Sequence, residues 1–174
     1  MNKFKEWVGF IAAVLSIGAI VLSVYNYFTI DKLQQFYANV KPLGMEIVLS
    51  EPNDGAEVGD CVTKILGDVR IRAAETSVVT TDINITLAEQ KIEVIPFVRP
   101  RGNLWYAQAR PVISPKGILT GSVILGERDG RGIGDNFEIV VLAVSEGTVQ
   151  RGDSFKDLPL HGCASNTVTV KRTL

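Results

Sequence analysis

The sequence predicts a mainly β protein, in which one N-terminal transmembrane α-helix precedes an antiparallel two-sheet β-sandwich. The first observation is an apolar run without charged residues at positions 7–28. The second is a change after Pro42 from helical to alternating hydrophobic periodicity, in short runs separated by turn-forming residues. A small β-barrel is the alternative fold, because strands of this length and spacing also close into barrels.

The apolar run has the length and the ends of a membrane helix. About 20 helical residues, rising about 1.5 Å each, span the roughly 30 Å hydrocarbon core of a bilayer. Trp7 marks one end of the run and Tyr25, Tyr27 and Phe28 mark the other, as in the aromatic belts at membrane interfaces. A cleaved signal peptide is the alternative, but its cleavage site needs small residues where this run has bulky ones. We therefore expect an uncleaved anchor in the lipid bilayer.

The charges beside the helix predict its orientation. Lys3 and Lys5 precede the helix and Lys32 follows it. The positive-inside rule then places the N-terminus in the cytoplasm and the C-terminal domain outside. The predicted organisation is a cytoplasmic N-terminus (1–6), a transmembrane helix (7–28), a helical juxtamembrane linker (29–42) and a β-sandwich domain (43–174).

Small residues form a stripe along the predicted helix. Their spacing alternates between three and four positions, which places them on one face. Small side chains let two helices approach closely in lipid, so this face predicts association with a second copy or with another membrane protein. The alternative is a plain anchor, because small residues are common in membrane helices. The stripe consists of Gly9, Ala12, Ser16, Ala19 and Ser23.

Eight segments of the C-terminal region have strand-like composition, and no internal helix is expected. Pro96 falls within one of them and indicates a sheet edge or a bulge there. This number of strands indicates a sandwich of immunoglobulin-like size. The predicted strands are Met45–Ser50, Cys61–Ala73, Asp82–Leu87, Lys91–Val98, Leu104–Gln108, Ile118–Leu125, Asn136–Ser145 and Asn166–Arg172.

The order of motifs resembles bacterial membrane-anchored extracytoplasmic domains of immunoglobulin-like type. The likeness rests on EPNDGAEVGDCVTKILGDV, then LWYAQ, then GDNFEIVVLAVS and a final NTVTVKR. It covers roughly residues 46–172. The resemblance implies an immunoglobulin-like fold and a place in the bacterial cell envelope. It carries over no catalytic residue.

Cys61 and Cys163 are the two cysteines of the chain. In an oxidising compartment they would close a loop of about 100 residues, which stabilises by up to about 4–5 kcal/mol in the chain-entropy model. Two buried thiols are one alternative, and a metal site that includes His161 is another. His161 and Cys163 lack an established zinc spacing, and three ligands are too few for a closed structural site. We expect no metal and favour the disulfide.

Three loop or arm segments have the composition of contact sites. Trp105 and Tyr106 could present exposed aromatic faces to a carbohydrate or peptide, although such a pair more often covers a core. The glycine-rich loop Glu127–Asp135 superficially resembles a cation-binding loop, but Arg131 occupies a position where a ligand is needed, which favours a solvated turn. The tripeptide at 151–153 reads Arg-Gly-Asp, which recurs by chance too often to predict adhesion.

No motif predicts catalysis or a cofactor. The chain has 18 Lys+Arg and 19 Asp+Glu, so it lacks the basic excess typical of nucleic-acid binding. No serine or cysteine stands in a pattern that pairs it with a base, and the acidic residues form no selective pair. The sequence therefore predicts a non-enzymatic binding, structural or assembly-subunit role in the cell envelope. The alternative is an enzyme or an accessory module that acts on envelope glycan.

Overall fold

The computed structural model describes part of the N-terminal region and most of the rest. The described residues are Ala19, 21–25, Tyr27, Ile30, 44–71, 82–127 and 129–173. The chain divides into two units, Met1–Ala38 and Asn39–Leu174.

The described residues of the first unit are helical. Ser23 Oγ donates a hydrogen bond of 2.8 Å to the Ala19 carbonyl, which lies four positions earlier in the chain. No helix within the described part of the chain is both long and apolar enough to cross a membrane. The predicted transmembrane helix 7–28 and linker 29–42 lie largely outside the described residues, as do Gly9, Ala12 and Ser16 of the small-residue stripe.

The second unit is mainly β, in two largely antiparallel sheets. A single described helix, α1, spans Ile83–Glu89. The strands are β1 Met45–Glu51, β2 Ala56–Val58, β3 Val62–Ile71, β4 Ile92–Pro100, β5 Trp105–Ala107, β6 Val112–Ile113, β7 Ile118–Ile124, β8 Asn136–Ser145, β9 Ser154–Phe155, β10 Cys163–Ala164 and β11 Val168–Arg172.

The small sheet has the strand order β1-β3-β7-β6, and the large sheet has the order β2-β11-β8-β4-β5-β9. The pairing of β2 with β11 is parallel, and β10 pairs with β8 beyond the end of β11. β7 and β8 belong to different sheets, so the glycine-rich loop between them crosses from one sheet to the other.

The core has two layers because the large sheet is buried on both faces. Alternate residues of a strand point to opposite faces. One face of β4 and β8 joins the buried side chains of the small sheet, among them Ile47, Ile65 and Leu119. The other face forms a cluster around Phe97 and Leu142, which the segment containing Val149, Phe155 and Leu158 covers.

The predicted strand Asp82–Leu87 is wrong, because this segment forms α1. The Asp82 side chain accepts a hydrogen bond of 2.9 Å from the Asn84 backbone N–H and acts as the N-cap. Leu87 alone in the helix is buried. Apolar residues at alternate positions resembled a strand, and the capping aspartate was the stronger signal.

Pro96 lies in β4, which is a central strand and pairs with β8 along its whole length. The Pro96 carbonyl accepts a hydrogen bond of 2.9 Å from the Gln108 N–H, just after β5 has ended at Ala107. The missing N–H of the proline therefore coincides with the end of the β4–β5 ladder. The predicted edge is local to this point rather than a property of the whole strand.

Candidate functional site

One cleft of the second unit has a volume of about 540 Å³ and gathers three segments that are distant in sequence. They are the β5 arm with Tyr106, the glycine-rich loop with Arg131 and the turn with Arg151. Apolar residues form part of its lining, among them Val98, Ile124 and Phe137. Loops on a rigid sheet scaffold commonly build ligand sites of this kind.

A buried arginine holds the glycine-rich loop in place. Arg172, at the end of β11, is 5% exposed. Its Nη1 donates to the carbonyls of Leu125 and Glu127, each at 3.0 Å, and of Arg131 at 2.7 Å. The loop backbone in turn contacts β11, because Gly134 N–H donates to the Arg172 carbonyl at 2.7 Å. One side chain from another strand therefore fixes the conformation of this wall of the cleft.

Gly126 is required where the loop passes Arg172. Its φ is +77°, a region that favours glycine. A Cβ at this position would lie 2.3 Å from the Arg131 carbonyl oxygen and 2.7 Å from Arg172 Nη1. Gly126 also lines the cleft, so the Arg172 guanidinium lies directly behind a part of the cleft wall that has no side chain.

Arg131 and two acidic residues form an exposed charged network on the loop. Its guanidinium pairs with Glu127 and, through Nε at 2.9 Å, with Asp129. The backbone hydrogen bond from Arg131, followed by the side-chain bond, holds the pKa of Asp129 below its usual value. The same side-chain bond raises the pKa of Arg131. These two carboxylates thus bind the Arg131 side chain and are not arranged around a metal ion.

The Arg-Gly-Asp turn forms the opposite rim. The Gly152 N–H donates to the Ala107 carbonyl, and the Ala107 N–H donates to the Asp153 carbonyl, each at 2.9 Å. These two bonds attach the turn to β5. Arg151 is exposed and lines the cleft, and no carboxylate of the described residues pairs with it. Its guanidinium is available to a ligand.

The structure separates the two predicted aromatic contacts. Trp105 is 5% exposed and packs in the core cluster behind the large sheet, which agrees with the favoured interpretation as a core residue and rules out the exposed contact for Trp105. The Arg99 guanidinium stacks on its ring at 4.4 Å and donates through Nε to Glu138 at 2.6 Å. Tyr106, which points to the other face of β5, is half-buried and lines the cleft.

Gln108 bridges the two sheets beside the cleft. Its Oε1 accepts from the Ile124 N–H of the small sheet at 3.0 Å, and its Nε2 donates to the Tyr106 carbonyl at 3.2 Å. Sequence reasoning identified neither Gln108 nor Arg172 as a site residue. A glutamine at the end of a predicted strand and an arginine in an alternating one carry no signal of these roles.

The predicted Cys61–Cys163 disulfide is not formed, and both thiols are free. Cys61 precedes the first residue of β3. Cys163 Sγ lies 3.3 Å from the Met45 carbonyl oxygen, and Met45 pairs with Ile71, the last residue of β3. At about 3.3 Å per residue, β3 is roughly 30 Å long, against about 4–7 Å between the Cα atoms of a disulfide. The two cysteines therefore lie at opposite ends of one strand.

The Cys163 thiol and the Asn166 amide cover the free edge of β1. Asn166 accepts from the Leu49 N–H at 2.8 Å and donates to the Leu49 carbonyl at 3.2 Å, as a neighbouring strand would. Burial raises the pKa of the Cys163 thiol. His161 Nδ1 lies 2.8 Å from the Pro159 carbonyl oxygen. Within the described ranges, no three His, Cys, Asp or Glu side chains come together as a metal-binding group.

No protein-family model and no curated protein matches this sequence.

Proposed function

We propose that this protein is a membrane-anchored, extracytoplasmic binding module of the bacterial cell envelope. In this proposal, residues 7–28 span the bilayer, the β domain is an immunoglobulin-like sandwich outside it, and the cleft beside Tyr106 holds a ligand. The cleft is the observation that carries the proposal. The apolar N-terminal run and the lysines at positions 3 and 5 support the placement.

The chemistry around the cleft fits a saccharide unit of envelope glycan. Arg151 supplies donors, Asp135 supplies acceptors and the Tyr106 hydroxyl supplies both. Apolar side chains line other parts of the same cleft. A sugar ring has hydroxyls that both donate and accept, together with a C–H face that packs on apolar surface and aromatic rings. Mixed polar groups around an apolar floor satisfy both requirements.

The charged groups of the glycine-rich loop favour binding over catalysis. Glu127, one of the two carboxylates that line the cleft, is bonded to Arg131 of the same loop, so it does not stand free toward a substrate. A pair of catalytic carboxyl groups needs both members free to reach the reacting bond. The enzymatic alternative has one specific observation in its favour, since Glu127 and Asp135 line the same cleft. A glycan-acting enzyme would use these two carboxylates.

A binding titration tests the proposal on the full chain in detergent micelles. The probe is chitotriose, and the readout is the set of amide chemical shifts. We expect shifts confined to residues around Tyr106, Arg131 and Arg151. Arg151→Ala should weaken binding roughly ten- to a hundredfold, because a hydrogen bond from a charged donor contributes about 1.5–3 kcal/mol. Lys116→Ala, an exposed cation that does not line the cleft, is the matched control.

Chitotriose that leaves the cleft amides unshifted, or that binds Arg151→Ala as well as the native protein, would contradict the proposal. Cleavage of chitotriose during the titration would instead establish the enzymatic alternative, and Asp135→Asn should then abolish it.

Placement is tested separately with single cysteines in a background that lacks Cys61 and Cys163. Lys156 is exposed in the β domain, and Lys3 lies in the predicted cytoplasmic segment. A membrane-impermeant maleimide added to intact spheroplasts should label Lys156→Cys and not Lys3→Cys. The reverse pattern would place the domain in the cytoplasm.

A further inference from the structure

A second cavity of about 260 Å³ lies between α1, the segment around Arg110 and the beginning of β4. Glu93 lines it with a side chain that is only 11% exposed. One carboxylate oxygen, Oε1, is 2.7 Å from Arg110 Nη2. The other, Oε2, is buried and has no hydrogen-bond partner. An unsatisfied buried carboxylate oxygen is unfavourable, and a donor supplied by a ligand would relieve it.

The backbone of β4 is also unpaired at this cavity. β5 pairs with β4 only at Phe97 and Val98, and the last bond of that ladder reaches the Pro96 carbonyl. The N–H and C=O of alternate residues point to the same edge of a strand, so Val94 presents both groups to the side that β5 has left. Val94 lines the cavity, and in the described part of the chain no strand pairs with it on that side.

The unsatisfied Glu93 oxygen and the unpaired edge of β4 together suit an extended peptide. A strand edge offers one N–H donor and one C=O acceptor to an added chain, and the neighbouring side chain offers an acceptor on one face. A ligand residue placed opposite Glu93 directs its side chain to the same face as Glu93. Arg110 already satisfies Oε1, so the remaining acceptor selects a side chain that donates.

We propose that this cavity binds an extended peptide segment, which adds to the β4 edge at Val94 and places a lysine side chain on Glu93. The site is independent of the cleft beside Tyr106 and of any glycan bound there. Main-chain hydrogen bonds provide the affinity and the Glu93 carboxylate provides the selectivity, as in other cases of strand addition.

Peptide titration of the full chain in micelles tests the proposal. The probe is N-acetyl-Val-Lys-Val-amide, and the readout is the amide shifts of residues 92–94. Two further peptides complete the set, one with norleucine in place of lysine and one with both valine nitrogens methylated. Norleucine should weaken binding about tenfold through loss of the bond to the carboxylate, and methylation should abolish binding through loss of the N–H donors.

Glu93→Gln should bind the lysine and norleucine peptides equally, whereas Glu89→Gln, the same change on an exposed residue outside the cavity, should keep the preference. The methylated peptide tests the site on the native protein, so the result does not depend on how well a variant folds. Equal binding of the lysine and norleucine peptides to the native protein, or shifts confined to residues elsewhere, would overturn the proposal. Absence of binding at millimolar peptide would overturn it as well.

Discussion

Replacing Arg172 by methionine tests whether this buried side chain holds the cleft together. Methionine keeps much of the apolar stem and removes the guanidinium, so three loop carbonyls lose their donor. Two opposing effects then compete. Removing a buried charge recovers its desolvation penalty, and replacing buried ionic groups with apolar ones is sometimes neutral or stabilising. Leaving buried carbonyls without partners is unfavourable.

The structure indicates which effect is larger. Each bond from a charged donor contributes about 1.5–3 kcal/mol, and the two hydrogens on Nη1 are shared among three carbonyls, so the gross loss is equivalent to about two full bonds. Two of the three contacts are only partly buried and can rehydrate. The unpartnered Nε of Arg172 already diminishes what the native side chain contributes. We expect a net destabilisation of roughly 2–4 kcal/mol, which lowers the melting temperature by about 10 °C in a domain of this size.

Urea unfolding and hydrogen exchange measure the two consequences. Arg172→Met should lower the unfolding midpoint and accelerate amide exchange at residues 125–135 in particular. Lys171→Met is the matched control, because Lys171 is half-exposed on the opposite face of β11 and its nearest partner, Glu57, is 3.8 Å away. An unchanged or raised midpoint in Arg172→Met would show that desolvation dominates and that the loop holds its shape without the guanidinium.

Three further outcomes follow from the structure. A soluble maleimide should label two thiols per chain in the native protein, whereas thiols that react only after reduction would show that the disulfide forms. Cys163 should reach half-maximal reactivity at a higher pH than the thiol of free N-acetylcysteine, because burial raises the Cys163 pKa and the thiolate is the reactive form. Gly67→Ala should destabilise the fold by about 1–3 kcal/mol, because its Cβ would lie 2.4 Å from the Val48 carbonyl oxygen. Gly121→Ala should destabilise it less, because the nearest atom to its Cβ would belong to a side chain, at 3.0 Å. Equal urea unfolding midpoints for the two variants would refute this. Ser16→Leu should weaken helix association, measured by cross-linking in detergent, because the larger side chain prevents close approach. A leucine-to-alanine change on another face of the helix should not weaken it. Equal effects of the two changes would indicate that the helix is a plain anchor.

Long alternating segments were predictable because burial of one face imposes a period of two on the sequence. β8 has the predicted bounds, and β1, β3, β5 and β7 differ from theirs by a few residues at most. The two-residue strands β6, β9 and β10 were missed, since segments this short carry no periodicity. β2 was also missed, because its three residues pair in parallel with β11 from within a turn-rich segment.

The cleft was predictable only in its parts. Its loops were visible as glycine-rich or polar segments, and Tyr106 stood out as an aromatic residue on a short arm. Their convergence depends on topology, because β7 and β8 lie in different sheets while β5 neighbours both β4 and β9. No local pattern encodes which strands become neighbours. The choice between core packing and an exposed contact for Trp105 also depends on topology, since its burial depends on the segment from Val149 to Leu158, which folds over the far face of the large sheet.

Two residues fix the walls of the cleft: Arg172 lies behind them, and Gln108 lines the cleft itself. Arg172 fixes the glycine-rich loop from β11, and Gln108 sets the distance between β5 and β7 by bonding to both sheets. The groups left free for a ligand, on Arg151, Asp135 and Tyr106, lie on segments that backbone bonds attach to strands. Ligand-facing side chains could therefore change without loss of the scaffold, whereas Arg172 and Gln108 could not. A substitution series at both sets of positions should separate loss of binding from loss of folding.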